Sequence, residues 1–153
     1  MFYSVAWVKA VVILAIVLIG QGYVSGADAV VGSVKTISGK PVLLRGSETI
    51  PITLGMHLVE RDRLSTDAAS RVGFILRDGS RVSLGPESEV VVEKFLFEPG
   101  KGELGLLMRL MRGVAAFVSG KIAQLSPESA VVETPVGIIG LRGTKFAAAL
   151  AAN

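Results

Sequence analysis

The chain has 153 residues, half of them hydrophobic, with 18 glycines, one histidine (His57) and no cysteine. It has room for one domain, and it excludes disulfides, thiolate zinc sites, a thiol nucleophile, an acylated lipoprotein cysteine and any site needing two imidazoles. The net charge is +3, and with Lys9 assigned to a leader about 15 basic side chains stand against 13 acidic ones. Apart from a loose group from Lys94 to Lys121 the basic residues are scattered, without a basic stripe interleaved with aromatics, so nucleic acid is not an expected partner.

The first segment reads as an address. Met1 to Lys9 carries one positive charge, Ala10 to Ile19 is an unbroken apolar run, and Gly20-Gln21-Gly22 ends it. Ser25-Gly26-Ala27 and Ala27-Asp28-Ala29 both fit a small-x-small cleavage site. This is the three-part pattern of a secretory signal peptide over residues 1–29. The run is shorter than the roughly twenty residues that span a bilayer, which makes an uncleaved anchor the alternative. Either way residues 30–153 are expected outside the cytoplasm, periplasmic or secreted, or held at the inner membrane by the N-terminus alone. Roughly 125 residues remain, enough to bury one core without covalent staples.

Beyond the leader, short apolar runs alternate with Gly, Pro, Ser and Asp clusters, the pattern of strands and turns. Strands are predicted at Val31–Ile37, Pro41–Arg45, Ile50–Leu54, Arg71–Arg77, Arg81–Leu84, Val90–Phe97, Gly113–Val118, Ala130–Thr134 and Lys145–Leu150. Leu104–Met111 fits a helix turn or a strand, and its length does not decide between them. The turn Arg77-Asp78-Gly79-Ser80 can be argued in register. A two-residue Asp-Gly loop would oppose Phe74 to Ser83 and Leu76 to Arg81, mixing apolar and polar groups on one face. A three-residue loop with Gly79 left-handed opposes Phe74 to Val82 and Val72 to Leu84, and places Gly73, Ile75, Arg81 and Ser83 on the other face. Because a one-residue slip exchanges the faces, the second register is expected.

An internal echo follows. Pro86-Glu87-Ser88-Glu89-Val90-Val91 recurs as Pro127-Glu128-Ser129-Ala130-Val131-Val132, an offset of 41 residues. At the same offset Arg71 matches Arg112, Gly79 matches Gly120 and Leu84 matches Leu125. A weaker third copy is Ser38-Gly39-Lys40 against Ser119-Gly120-Lys121. Repeated strand, glycine-turn and Pro-Glu-Ser units of this kind stack their sheets around a shared core. The fold class expected is all-β, a single domain of solenoid-like, stacked β-sheets.

Reactive constellations fail on spacing or company. Gly32 to Lys40 and Gly113 to Lys121 end in Gly-Lys, but six residues lie between Gly32 and Gly39 and between Gly113 and Gly120, and Pro41 or Ile122 stands where a phosphate loop needs Ser or Thr. No G-x-S-x-G elbow is present. His57 has Glu60 and Asp62 nearby without a nucleophile motif, and reads as an exposed or hydrogen-bonded surface histidine. Glu87 with Glu89, and Glu128 with Glu133, are nominal carboxylate pairs for glycoside chemistry, but they sit at Pro-Glu-Ser corners that read as solvated turns. A calcium site at Glu60, Asp62 and Asp67 is opposed by Arg61 and Arg63. No catalytic residue, cofactor or metal is expected.

An ordered set of motifs runs along the chain: the opening strand Val31-Gly32-Ser33-Val34, then Gly55-Met56-His57-Leu58 with Asp62-Arg63-Leu64-Ser65-Thr66, then Asp78-Gly79-Ser80 with Leu84-Gly85-Pro86 and Ser88. The set closes on Thr134-Pro135, Gly140, Arg142-Gly143-Thr144 and Phe146. Read as a whole, the chain resembles the FecR domain family. The resemblance implies an all-β, solenoid-like domain facing the periplasm, which in the namesake regulators relays a signal from an outer-membrane receptor to a cytoplasmic sigma-factor-binding segment. With nine residues before the apolar run and an end at Asn153, it implies a stand-alone envelope module rather than direct control of a sigma factor.

Most signature residues are expected to be framework. Gly79 supplies a left-handed turn, Pro135 opens a turn or edge segment, and Arg142 is expected to fork onto a carboxylate, Asp62 being the partner proposed from the sequence. The leading functional expectation is a non-enzymatic module binding another envelope protein, with Lys145–Leu150 as an edge strand open to strand addition. The alternative is a structural or glycan-binding envelope domain.

Overall fold

The computed structural model describes residues 28–143 and 145–151. The leader up to residue 27 and Thr144 lie outside the described residues. Thirteen strands follow in chain order: β1 (Val30–Ser38), β2 (Val42–Arg45), β3 (Glu48–Pro51), β4 (His57–Val59), β5 (Arg63–Ser65), β6 (Arg71–Leu76), β7 (Arg81–Leu84), β8 (Glu89–Glu98), β9 (Glu103–Arg112), β10 (Val114–Val118), β11 (Ala130–Thr134), β12 (Gly137–Gly140) and β13 (Lys145–Ala149). A short helix, α1 (Lys121–Leu125), precedes β11, and 3-10 turns lie at Pro99–Lys101 and Pro127–Ser129.

The strands form two sheets. One runs β4-β1-β6-β7-β10-β13, the other β3-β2-β5-β8-β9-β11-β12. Strand order along each layer therefore nearly follows chain order. Neighbours are antiparallel except β9 with β11. The chain crosses between the layers again and again, and both layers contribute to one continuous core. That core includes Val34, Phe74, Val82 and Phe117 from the first sheet and Leu43, Leu64, Val90, Val92, Met108 and Val132 from the second.

The hairpin of β6 and β7 has the register argued from the sequence. Val72 opposes Leu84, Phe74 opposes Val82, and Gly73 and Ile75 oppose Ser83 and Arg81. Gly79 has φ +86, and the loop closes with Leu76 N–H on the Ser80 carbonyl at 2.8 Å. The apolar row is buried and the Arg81–Ser83 row is exposed, which is the energetic reason for the register.

Leu104–Met111 is strand. It is the body of β9, paired on one side with β8 and on the other with β11. Leu106, Met108 and Leu110 point into the core while Met111 and Arg112 are exposed, so the period is two. The predicted Ile50–Leu54 strand shifts: β3 ends at Pro51, and Thr53 to Met56 form a turn closed by Met56 N–H on the Thr53 carbonyl at 3.2 Å.

The 41-residue echo has a structural counterpart. β6, β7 and β8 recur as β10, α1 and β11, each set starting in the first layer and crossing to the second at its Pro-Glu-Ser segment. In the second set a helical turn stands where the first has β7.

Candidate functional site

Three buried serines fasten the crossings. The Ser80 hydroxyl, 3 % exposed, accepts the N–H of Gly120 at 3.1 Å and donates to Asp78 Oδ2 at 2.8 Å. Asp78 accepts Ser80 N–H on Oδ1 at 3.0 Å and Ile122 N–H on Oδ2 at 3.3 Å, and its carbonyl accepts Lys121 N–H at 2.8 Å. The Asp-Gly-Ser turn of one unit is thus bolted to the glycine corner of the next. The Ser88 hydroxyl accepts Val114 N–H at 2.8 Å, and the Ser70 hydroxyl accepts Lys40 N–H at 2.9 Å. Thr66 joins this set, donating to the Gly85 carbonyl at 2.7 Å and accepting Ser88 N–H at 2.9 Å. The facing glycines are required by contact. A Cβ on Gly39, Gly113 or Gly120 would come within 2.6 Å of backbone or a serine hydroxyl.

Asp62 is fully buried, and its partner is Arg45, not Arg142. Arg45 forks onto it through Nε at 2.8 Å and Nη2 at 2.7 Å, and Val59 N–H donates to the same carboxylate at 2.8 Å. The cause is register: Leu44 of β2 opposes Arg63 of β5, which sets Arg45 beside Asp62 at the strand ends. The Asp62 hydrogen bond leads in raising the Arg45 guanidinium pKa. Arg142 is exposed on the crossing from β12 to β13.

The other signature residues are placed as follows. Gly55, φ +77, turns the chain between β3 and β4 and donates its N–H to the Val34 carbonyl at 2.9 Å. Thr134 Oγ1 donates to the Gly137 carbonyl at 2.8 Å across the exposed Pro135. Gly140 ends β12 opposite Val131, Gly143 has φ +140, and Phe146 stacks on Phe117 with centroids 4.9 Å apart.

The candidate reactive groups are dispersed. His57 is exposed. Glu60 accepts Phe95 N–H at 2.7 Å, Asp62 holds Arg45, and Asp67 accepts Ala69 N–H at 3.0 Å, so the three carboxylates turn to separate partners. Glu89 pairs with Arg63 and Arg112, Glu133 with Arg109, and Glu128 with the Ser126 hydroxyl. A concavity of about 700 Å3 is lined by Asp28, Arg45, Glu60, Arg61 and Arg63 among others, with acids and bases interleaved. Among the described residues every buried side-chain polar atom has a partner.

What the fold leaves open is an edge. Among the described residues β13 is the last strand of its sheet and pairs with β10 alone. Leu150 donates its N–H to the Gly113 carbonyl at 2.9 Å, and the Val114 carbonyl instead faces β7, accepting Gly85 N–H at 2.9 Å. In an antiparallel ladder both backbone groups of a residue face one neighbour and alternate along the strand. The backbone of Phe146 and Ala148 therefore faces β10, and that of Lys145, Ala147 and Ala149 faces outward. The other edges are less receptive: β3 contains Glu48 and Pro51, β4 has three residues, and β12 has four with glycine at both ends. Short, charged and proline-bearing edges resist strand addition.

A family model described as FecR protein matches residues 62–153, more than half the chain. The chain belongs to the FecR family. The match begins at Asp62, so the opening Val31–Val34 strand and Gly55 fall outside it. FecR domains are regulatory, non-enzymatic signalling modules, typically periplasmic. No curated protein and no solved structure matches the chain. Among the described residues no helix is long and apolar enough to cross a membrane.

Proposed function

We propose that this FecR-family chain is an exported module of the cell envelope that binds another envelope protein by accepting one of its strands along β13. The observation that carries this reading is the outward-facing backbone of Lys145, Ala147 and Ala149 on an edge free of proline and acidic residues. Main-chain hydrogen bonds would supply affinity, and pockets for alternate side chains selectivity. The repeated crossing between stacked layers is, on this reading, the solenoid-like aspect of the domain, with the signature residues Gly55, Asp62, Thr66, Asp78, Gly79, Ser80, Thr134, Pro135, Gly140, Gly143, Thr144 and Phe146 as its framework. Exposed Arg142 precedes β13 by three residues and stands beside the docking edge.

A glycan-binding surface would call for exposed aromatic rings. Of the described aromatics, Phe74, Phe95 and Phe117 are buried and Phe97 and Phe146 are half-buried. The test is capture of proteins from envelope extracts set beside pelleting with peptidoglycan, repeated with the chain truncated after Thr144. Capture that depends on residues 145–153 is expected. Co-sedimentation with peptidoglycan, or protein capture unchanged by the truncation, would defeat the proposal.

A further inference from the structure

We infer that β13 is also a self-association edge, joining two copies of the chain antiparallel about a two-fold axis through Ala147. The inference stands on the register of β13 rather than on the binding reading above, although both use the same edge. Placing the axis at Ala147 opposes Ala147 to Ala147 of the second copy, and Lys145 to Ala149 of the second copy. These are the three residues whose backbone faces outward, so each opposed pair exchanges both of its hydrogen bonds and no outward group is left over.

Side chains match as well. On the inner face, half-buried Phe146 lies opposite Ala148 of the second copy, a large group against a small one. Phe146 is already held flat by its stack on Phe117, 4.9 Å away, so its ring does not have to be ordered on association. On the outer face Lys145 meets alanine. The two Lys145 side chains are offset by four residues of strand, roughly 13 Å, beyond the Debye length of about 8 Å at physiological salt. Like charges directly opposite one another would oppose pairing, and this register avoids them. Shifting the axis by one residue to Phe146 or Ala148 still opposes outward-facing residues but leaves one of the three without an opposite residue inside β13, so the axis at Ala147 is the one that uses them all.

One five-residue strand buries less than the 1,200 Å2 or more typical of stable interfaces, a general threshold of about that size. The pairing is therefore concentration-dependent, and a partner's strand on β13 displaces the second copy. Self-association and partner capture exclude each other.

The absence of cysteine makes the register directly testable in the full chain. Ala147→Cys places its Cα about 5.5 Å from its own symmetry mate, within disulfide range. Ala149→Cys alone stands roughly 13 Å from its mate, but it meets Lys145→Cys of the other copy when the two variants are mixed. Under mild oxidation A147C is expected to form covalent dimer roughly tenfold more than A149C or K145C alone, with the A149C and K145C mixture restoring it.

Sedimentation provides the second arm. The native chain is expected to show mass rising with concentration. Ala147→Pro, which removes an outward N–H, should abolish that rise and leave the unfolding midpoint nearly unchanged. Ala148→Pro, which removes a bond to β10, should lower the midpoint. A chain that stays monomeric to submillimolar concentration, or equal cross-linking at all three positions, overturns the inference. Loss of self-association with partner capture intact would leave the binding proposal standing.

Discussion

The bolt between units predicts a large penalty for adding one methyl group at Gly120. Its backbone is an ordinary extended one, φ −101 and ψ −157, so alanine meets no dihedral strain there. The added Cβ would lie 2.4 Å from Ser80 N, 2.6 Å from the Asp78 carbonyl oxygen and 2.7 Å from Ser80 Oγ, distances no Cβ sustains. The corner must lift, and three bonds go with it: Gly120 N–H to Ser80 Oγ, Lys121 N–H to the Asp78 carbonyl, and Ile122 N–H to Asp78 Oδ2. At about 1 kcal/mol net for each buried bond, Gly120→Ala costs about 3 kcal/mol. For a domain of this size that lowers the thermal midpoint by roughly 12 °C. Gly79→Ala is the control. Gly79 has φ +86 but nothing within 4 Å of a new Cβ, so it costs only the left-handed strain, about 1 kcal/mol. Thermal and urea unfolding of both variants decide the matter. If Gly120→Ala loses less than Gly79→Ala, the corner is not a contact-driven bolt.

Two further outcomes follow from the carboxylates. Arg45→Ala strands a buried carboxylate and is expected to cost about 3 kcal/mol, at the low end for a broken buried pair because the arginine is 39 % exposed, whereas Arg142→Ala should stay within about 0.5 kcal/mol; equal losses in urea unfolding would contradict the assignment of Asp62 to Arg45. The Asp67 carboxyl is held below its usual range, first by the Ser70 hydroxyl and then by the Ala69 N–H. A lowered folded pKa means this stabilisation is complete above the unfolded value near 3.9 and is lost as pH falls through the folded one. The stability gap between the native chain and Asp67→Asn should be flat at neutral pH and narrow in acid, and a gap that persists undiminished at the lowest pH would refute the assignment.

Local pattern made some features legible and topology hid the rest. The β6–β7 register was readable because apolar alternation and a single glycine point to the same answer within fourteen residues, Arg71 to Leu84. β4 and β5, three residues each, are too short to show a period. Gly137–Gly140 carries two glycines and no alternation, so it reads as loop although it pairs along β11. β9 needed its two neighbours to distinguish strand from helix. The pairing of Asp62 with Arg45 depends on β2 lying beside β5, a fact of sheet order and not of spacing. The serine bolts left a trace in the echo of Ser-Gly-Lys and Pro-Glu-Ser, but the trace does not say which serine meets which glycine. The open side of β13 was expected from the sequence as an edge, and only the ladder bonds at Gly113 and Gly85 reveal which residues turn outward.

Because position along both layers tracks position along the chain, the molecule can be assembled from one end. A polypeptide emerging N-terminus first completes the β1–β5 end before β10 to β13 exist, and each later unit meets a template already in place, so loop-closure costs stay small at every step. Until the final unit docks, the advancing front of each layer is an uncapped ladder, which makes the half-formed chain, more than the finished one, the species that needs shielding from misassembly.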